Sequence, residues 1–239
     1  MRILILGGTA DARDLADRLT ALGHDVTTSL AGRTRKPAIP AGQLRVGKFG
    51  GIPGLVAYLK AAGIERLVDA THPYAGLISV NAVGASQASG VPLVRYMRPA
   101  WVEPEGAGWL HVPTVAAAAA ALPAGANAFV TTGHEGLEHF AARNDCRIVA
   151  RLIEPPGIEL RHVAWLEDGP PYELDDERAL FERHGFTHLV TKNSGGAATW
   201  SKMVVARERG VQVIVMARPV HGPAMEVGSV EEAVAAVVG

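Results

Sequence analysis

The chain carries one cysteine, Cys146, in 239 residues. That scarcity excludes an intramolecular disulfide framework and any zinc site built on paired thiolates. No neighbouring residue pattern suggests an activated thiol at Cys146, so a structural role is expected. An excess of charge is also missing. Lys and Arg number 23 against 24 Asp and Glu, giving a net charge of -1 and a pI near 6.8. Such a balance supplies no global field to draw in nucleic acid or an anionic membrane, so any anionic ligand must be held by local basic clusters. Long apolar runs are absent too. The start "MRILILGG" is too short for a signal-peptide core and runs into a glycine turn, and Ala116 to Ala121 falls far short of the about 20 apolar residues that span a bilayer. A cytoplasmic location is expected, with neither membrane nor nucleic acid as partner.

Several catalytic signatures are missing as well. The full GxGxxG fingerprint, the Gly-Lys-Ser/Thr order of a Walker A loop, a GxSxG elbow and a YxxxK pair do not occur. The histidines show no metal-ligand spacing: His134 and His139 stand five apart, which does not put them on one helical face. No metal site is expected.

What is present is an alternation of short apolar runs with helical patterns, the signature of stacked βαβ units. Strands are expected over Ile3 to Leu6, Asp25 to Ser29, Arg66 to Asp69, Leu93 to Tyr96, Phe129 to Thr132, Ile148 to Leu152, His188 to Thr191 and Val213 to Met216. Leu15, Leu19 and Leu22 give the first helix one apolar stripe, and Ser229 with Glu232 forms a capping box at the start of the last. An internal echo adds organisation. "LVDATHPYAG" leads through a helix to "VPLVRYMRP", and "LVTKNSGGAATW" leads through a helix to "VQVIVMARP". The fold expected is therefore α/β, with two Rossmann-like lobes of mainly parallel sheet: 1–100 and 113–239, separated by the Pro/Gly/Trp-rich stretch between them. Ligands of such folds bind at the carboxyl ends of the strands, so an active-site cleft between the lobes is expected.

Five loops hold the candidate chemistry. In "ILILGGTADARDLA" a strand passes through Gly7, Gly8 and Thr9 into a helix, a geometry that lets backbone and helix amides reach a phosphate. A tight turn into a packed helix would look similar. The second strand ends in "SLAGRTRK", where a carboxylate would select NAD; Ser29 and Arg33 stand there instead, which favours NADP. A merely solvated basic loop is the competing reading. "DATHPYA" concentrates Asp69, Thr71, His72 and Tyr74 around a proline, all able to bond a ligand or move a proton. "VTTGHEGL" and "VTKNSGGAATWSK" offer hydroxyls and glycines at strand-to-helix turns, with Lys192 as a point charge.

Together "LGGTADARDLA", "SLAGR", "DATHPYA", "TTG", "TKNSGG" and "KMVVARERGVQVIVMARP" resemble the precorrin-6A reductase family of vitamin B12 biosynthesis. The resemblance runs from the first strand nearly to the last helix, and "DATHPYA" followed by "TKNSGG" is its specific part. It implies an oxidoreductase that carries out NADPH-dependent reduction of a tetrapyrrole, precorrin-6A, to precorrin-6B, with NADPH as cofactor and most simply a monomer. By position Gly7, Gly8 and Thr9 would take the cofactor phosphates, and Ser29 with Arg33 the 2′-phosphate. Thr71, Thr132, Gly133 and Lys192, Asn193, Ser194, Gly195 and Gly196 would complete the cofactor contacts. His72, Tyr74, Arg95, Arg98 and Lys192 would meet the carboxylate-rich substrate, and Asp69, His72 and Tyr74 are candidates for the proton donor, with solvent or substrate as alternatives. Two other readings stand beside this one: a different NADP-linked reductase, and a non-catalytic NADP-binding sensor that binds no corrinoid.

Overall fold

Successive side chains of a strand point to opposite faces, and in β1 (Arg2–Leu6) both faces are apolar. Ile3 and Ile5 join one buried cluster with Leu15, Leu19 and Val68, while Leu4 and Leu6 join another with Leu55, Leu59 and Leu67. A strand buried on both sides needs helices on both sides, a condition that parallel βαβ crossovers meet. The computed structural model, which describes residues 1–32, 39–157 and 160–239, has this layering.

After β1 come α1 (Ala10–Ala21), β2 (Asp25–Leu30), β3 (Gln43–Val46), α2 (Gly51–Ala61), β4 (Arg66–Asp69), α3 (Gly76–Ser89) and β5 (Leu93–Tyr96). The chain then enters a second unit with β6 (Leu110–Val112) and α4 (Val115–Ala120). That unit continues through β7 (Asn127–Thr131), α5 (Leu137–Ala141), β8 (Arg147–Leu152), β9 (Val163–Glu167), α6 (Leu174–His184), β10 (His188–Lys192), α7 (Ser201–Glu208) and β11 (Gln212–Met216). It returns to the first unit for β12 (Met225–Val227) and α8 (Val230–Val238). All pairings are parallel, in the orders β12-β5-β4-β1-β2-β3 and β6-β11-β10-β7-β8-β9.

The internal echo therefore extends to five strands per half. Each sheet is closed by a sixth strand from elsewhere in the chain: β6, which follows β5, sits beside β11, and β12, which follows β11, sits beside β5. The two crossings fall at the two Arg-Pro dipeptides, after Pro99 and after Arg218. This departs from the expected lobe limits of 1–100 and 113–239. Residues 100–112 include β6 and belong to the second unit, whereas 219–239 belong to the first. The reason is burial: Val230, Ala233 and Val237 of α8 pack in the cluster that holds Leu15 and Leu19.

Local signals behave as the sequence indicates, with one exception. Ser229 caps α8 by accepting from the Glu232 amide at 3.1 Å, and the Glu232 carboxylate accepts from Gly228 N at 2.8 Å. The alanine run lies in α4, capped by Thr114 Oγ1. Leu22, however, is not part of the α1 stripe. It is 58% exposed, because the helix ends at Ala21 and Leu22 is its cap. Among the described residues no helix is long and apolar enough to cross a membrane.

In the second unit Phe129 is wholly buried, stacked on Phe186 with ring centroids 4.8 Å apart and edge-on to Phe181 at 5.7 Å. Phe129→Ala is expected to cost roughly 3–5 kcal/mol. All four tryptophans, Trp101, Trp109, Trp165 and Trp200, lie in that unit, so denaturant unfolding followed by tryptophan fluorescence reads the loss; a shift under about 1 kcal/mol would contradict this packing.

Candidate active site

Parallel strands bring their carboxyl ends to one edge of each sheet. In the first unit that edge starts with the turn from β1 to α1. A Cβ on Gly7 would come within 2.9 Å of the Thr28 side chain, so glycine lets β1 lie close to β2. Gly8 adopts φ +115°, a backbone that favours glycine, and nothing lies within 4 Å of where its Cβ would be. Thr9 caps α1, accepting from the Ala12 amide at 3.0 Å while its hydroxyl donates to Ala70 O at 3.0 Å. Its hydroxyl thus ties the turn to the end of β4. The bare Gly8 backbone at a helix start is a cradle that a phosphate can approach.

At the end of β2, Ser29 is buried and its Oγ accepts from Arg45 Nη1 at 3.2 Å. Arg45 is a group the sequence reading missed; nothing in its local pattern marks it. Arg33, the leading candidate there, lies outside the described residues.

The "DATHPYA" loop is built around Asp69, which is 2% exposed. Its carboxylate accepts from the Thr71 hydroxyl at 2.7 Å, the Thr71 amide at 3.3 Å and Arg95 Nε at 3.4 Å. This is the geometry of a carboxylate that holds a loop, and it removes Asp69 from the set of exposed proton donors. Arg95 is corrected in the same way. It is 1% exposed and also donates to Gly222 O at 2.8 Å, so it presents no cation to a substrate. His72 Nδ1 accepts from Tyr74 N at 3.3 Å, and the two rings are 5.8 Å apart. With Nδ1 accepting, the proton of the neutral ring sits on Nε2. His221, unmarked in the sequence, reaches Pro73 O through Nε2 at 3.0 Å and so clamps the loop from the returning segment.

Arg98 pairs with Asp11 of α1 at 2.8 Å. A small crevice among Thr9, Asp11, Thr71, Pro73, Tyr96 and Arg98 brings the glycine turn, the "DATHPYA" loop and the end of β5 together. Burial first, and the Asp11 charge second, push the Tyr96 hydroxyl up to about 12, so it stays protonated.

In the second unit Thr132 is buried with no partner for its hydroxyl, and Gly133 has φ +80° with open space around its missing Cβ. The "TKNSGG" loop is held by groups that sequence reasoning missed. Asn193 Oδ1 accepts from Trp101 N at 2.8 Å and its Nδ2 donates to Trp101 O at 3.1 Å. Trp101 Nε1 donates to Gly196 O at 2.9 Å. Arg218 donates to Asn193 O at 2.8 Å and Ser194 O at 3.1 Å. The Asn193 side chain therefore shapes the loop that presents Lys192, Ser194, Gly195 and Gly196. His134 bonds Glu154 O at 2.7 Å, while Cys146 is buried and its thiol is pushed up by that burial.

Behind this loop Lys202 is 4% exposed, donating to Thr199 O at 2.8 Å with the Trp101 ring centroid 5.0 Å away. Burial, with nearby Arg151 adding to it, pushes its ammonium from 10.5 down to about 7.

Two all-parallel six-stranded sheets, with a glycine turn after the first strand, define a Rossmann-like α/β protein. The sequence profile described as precorrin-6x reductase CbiJ/CobK matches residues 2–238. The chain is 41% identical over 228 residues to a precorrin-6A reductase of Rhodococcus erythropolis, covering 94% of this chain and 92% of that protein. A precorrin-6A reductase of Rhodobacter capsulatus is 39% identical, with coverage of 91% and 88%. A solved structure of CobK precorrin-6A reductase superposes with a TM-score of 0.94 at 36% identity, covering all of this chain and 96% of that one. The chain belongs to the precorrin-6x reductase family.

The Lys202 environment makes a pH prediction. Folding requires proton release between about 7 and 10.5, where the unfolded chain binds more protons, so the stability rises with pH across that window. Lys202→Met is expected to raise Tm at neutral pH and to flatten that rise, as read by calorimetry over the same range. An unchanged slope would contradict the assignment.

Proposed function

We propose that the chain catalyses NADPH-dependent reduction of precorrin-6A to its dihydro product in cobalamin biosynthesis. The observation that carries this reading is the family match over residues 2–238, in a chain whose β1 turn has the open Gly8 cradle. Curated relatives named precorrin-6A reductase share 39–41% of residues, whereas a cobalt-precorrin-6A reductase of Priestia megaterium shares 29%. That difference favours precorrin-6A itself over its cobalt form.

The residues fit a dinucleotide. Gly7, Gly8 and the start of α1 hold the phosphates, while Ser29 and Arg33 replace the carboxylate that would select NAD. Bound there, the nicotinamide supplies the hydride. The protein must orient two large ligands and exclude water. Thr9 fixes the phosphate turn against β4, and Asp69 with Thr71 fixes the loop from which His72 and Tyr74 face the substrate. His72 and Tyr74 position the macrocycle, and Arg98 meets its carboxylates. The second unit, by itself, offers Lys192, the "TKNSGG" loop and the unpartnered Thr132 hydroxyl as polar groups for a ligand. The reading takes the enzyme to act as a monomer in the cytoplasm.

Paired fluorescence titrations of NADPH and NADH on the wild type and on Arg33→Ala test the cofactor assignment. A strong NADPH preference that falls about tenfold or more in the variant is expected, from loss of a charge-assisted contact. Equal binding of both cofactors by the wild type would contradict it. Turnover of precorrin-6A with NADPH then separates a reductase from a cofactor-binding sensor.

His72→Ala gives a second prediction. It should weaken precorrin-6A binding with a lesser effect on the single-turnover rate. Near-complete loss of single-turnover reduction with normal binding would make His72 a catalytic residue.

A further inference from the structure

Each unit holds a guanidinium at or beside the fifth residue of an equivalent strand, β2 or β8, and the two charges are met differently. Ser29 and Arg151 are each the fifth residue of a six-residue strand, β2 and β8, in equivalent positions of the strand order. In the second unit Arg151 is 6% exposed, with Tyr172 stacked 4.0 Å away. Its Nη2 meets the buried Glu177 carboxylate at 2.6 Å. That charge is cancelled inside the protein.

In the first unit the guanidinium comes from the next strand over. Arg45 of β3 is the register partner of Ser29. Its Nη1 donates to Ser29 Oγ at 3.2 Å and to Gly47 O at 2.6 Å, and its Nη2 donates to Lys48 O at 3.1 Å. Its guanidinium carbon lies 3.8 Å from the centroid of the Phe49 ring. Every one of these acceptors is neutral, and among the described residues no carboxylate pairs with Arg45. The cation is immobilised by carbonyls and an aromatic face, with no counter-ion among the described residues. Ser29 accepts from it, which leaves the hydroxyl proton to donate to a second acceptor. A fixed cation and a fixed hydroxyl at the end of the second strand form a preorganised anion site, where a dinucleotide places its adenosine ribose.

We propose that Arg45, with Ser29, reads the 2′-phosphate of the cofactor, so that discrimination between NADPH and NADH is built into the β2–β3 pair and not only into the basic loop that follows β2. This rests on the NADPH reading above and names a specificity-determining residue for it.

The test uses two probes that differ only in the group in question, adenosine 2′,5′-bisphosphate and adenosine 5′-monophosphate. Each is titrated by calorimetry into the full chain, as wild type, Arg45→Gln and Arg45→Lys. The wild type should prefer the bisphosphate, and Arg45→Gln should erase about ten- to a hundredfold of that preference, the value of a charge-assisted hydrogen bond. Affinity for the monophosphate should hold, and Arg45→Lys should keep part of the preference, since it retains charge without the planar fork. An unchanged preference in Arg45→Gln overturns the proposal. A loss shared equally by both probes also overturns it, since it marks Arg45 as framework. No preference in the wild type instead removes the NADPH reading itself.

Discussion

Parallel pairing is the constraint on which the rest of this structure depends. Two adjacent parallel strands cannot be joined by a hairpin, so the chain must cross back, and it does so through a helix between β1 and β2, β4 and β5, β7 and β8, and β10 and β11. Every carboxyl end is thereby delivered to one edge of its sheet. The glycine turn, Ser29, the "DATHPYA" loop and Arg98 share an edge because β1, β2, β4 and β5 run the same way. No side-chain interaction needs to gather them. Side chains then fix the orientation of loops that topology has already collected.

In a chain of almost no net charge, that fixing is done by a few buried ionic contacts. Asp69 with Arg95, and Glu177 with Arg151, sit in the two units with both partners under a tenth exposed. Removing such charges from water is costly, and replacing a buried pair with apolar residues is often neutral or stabilising. Their value here is geometric. Asp69 positions Thr71 and the turn around Pro73, and Arg95 links that loop to the returning segment through Gly222 O. Arg45 is held differently, by neutral oxygens and the Phe49 ring.

How much could be read from sequence follows from where each element sits. The eight strands expected from apolar runs are the eight interior strands. The four unread ones, β3, β6, β9 and β12, are the four edges. Interior strands bury both faces and show it, as in Ile3 to Leu6, whereas "QLRV" and "MEV" are largely exposed and carry no apolar run. The motifs of the site were legible because glycine, histidine and hydroxyl residues cluster in short loops. Their partners were not. Arg45, Trp101, His221 and Arg218 act across long sequence separations, and one sequence contains no sign of which distant carbonyl or hydroxyl each will meet. Arg95 shows the reverse: an arginine near a strand end looks available in sequence, yet it is buried and bonded to Gly222 O of the segment that leads into β12.

The exchanged edge strands also order events during synthesis. Chains usually fold from the amino terminus as they leave the ribosome. Here residues 100–218 form an uninterrupted unit, whereas the first unit waits for 219–239. Until those residues emerge, β5 is an open edge, and the apolar face of α1, with Leu15 and Leu19, lacks the cover of α8. The unit that begins first on the ribosome is thus the one completed last, and an unpaired strand edge is exposed throughout that interval.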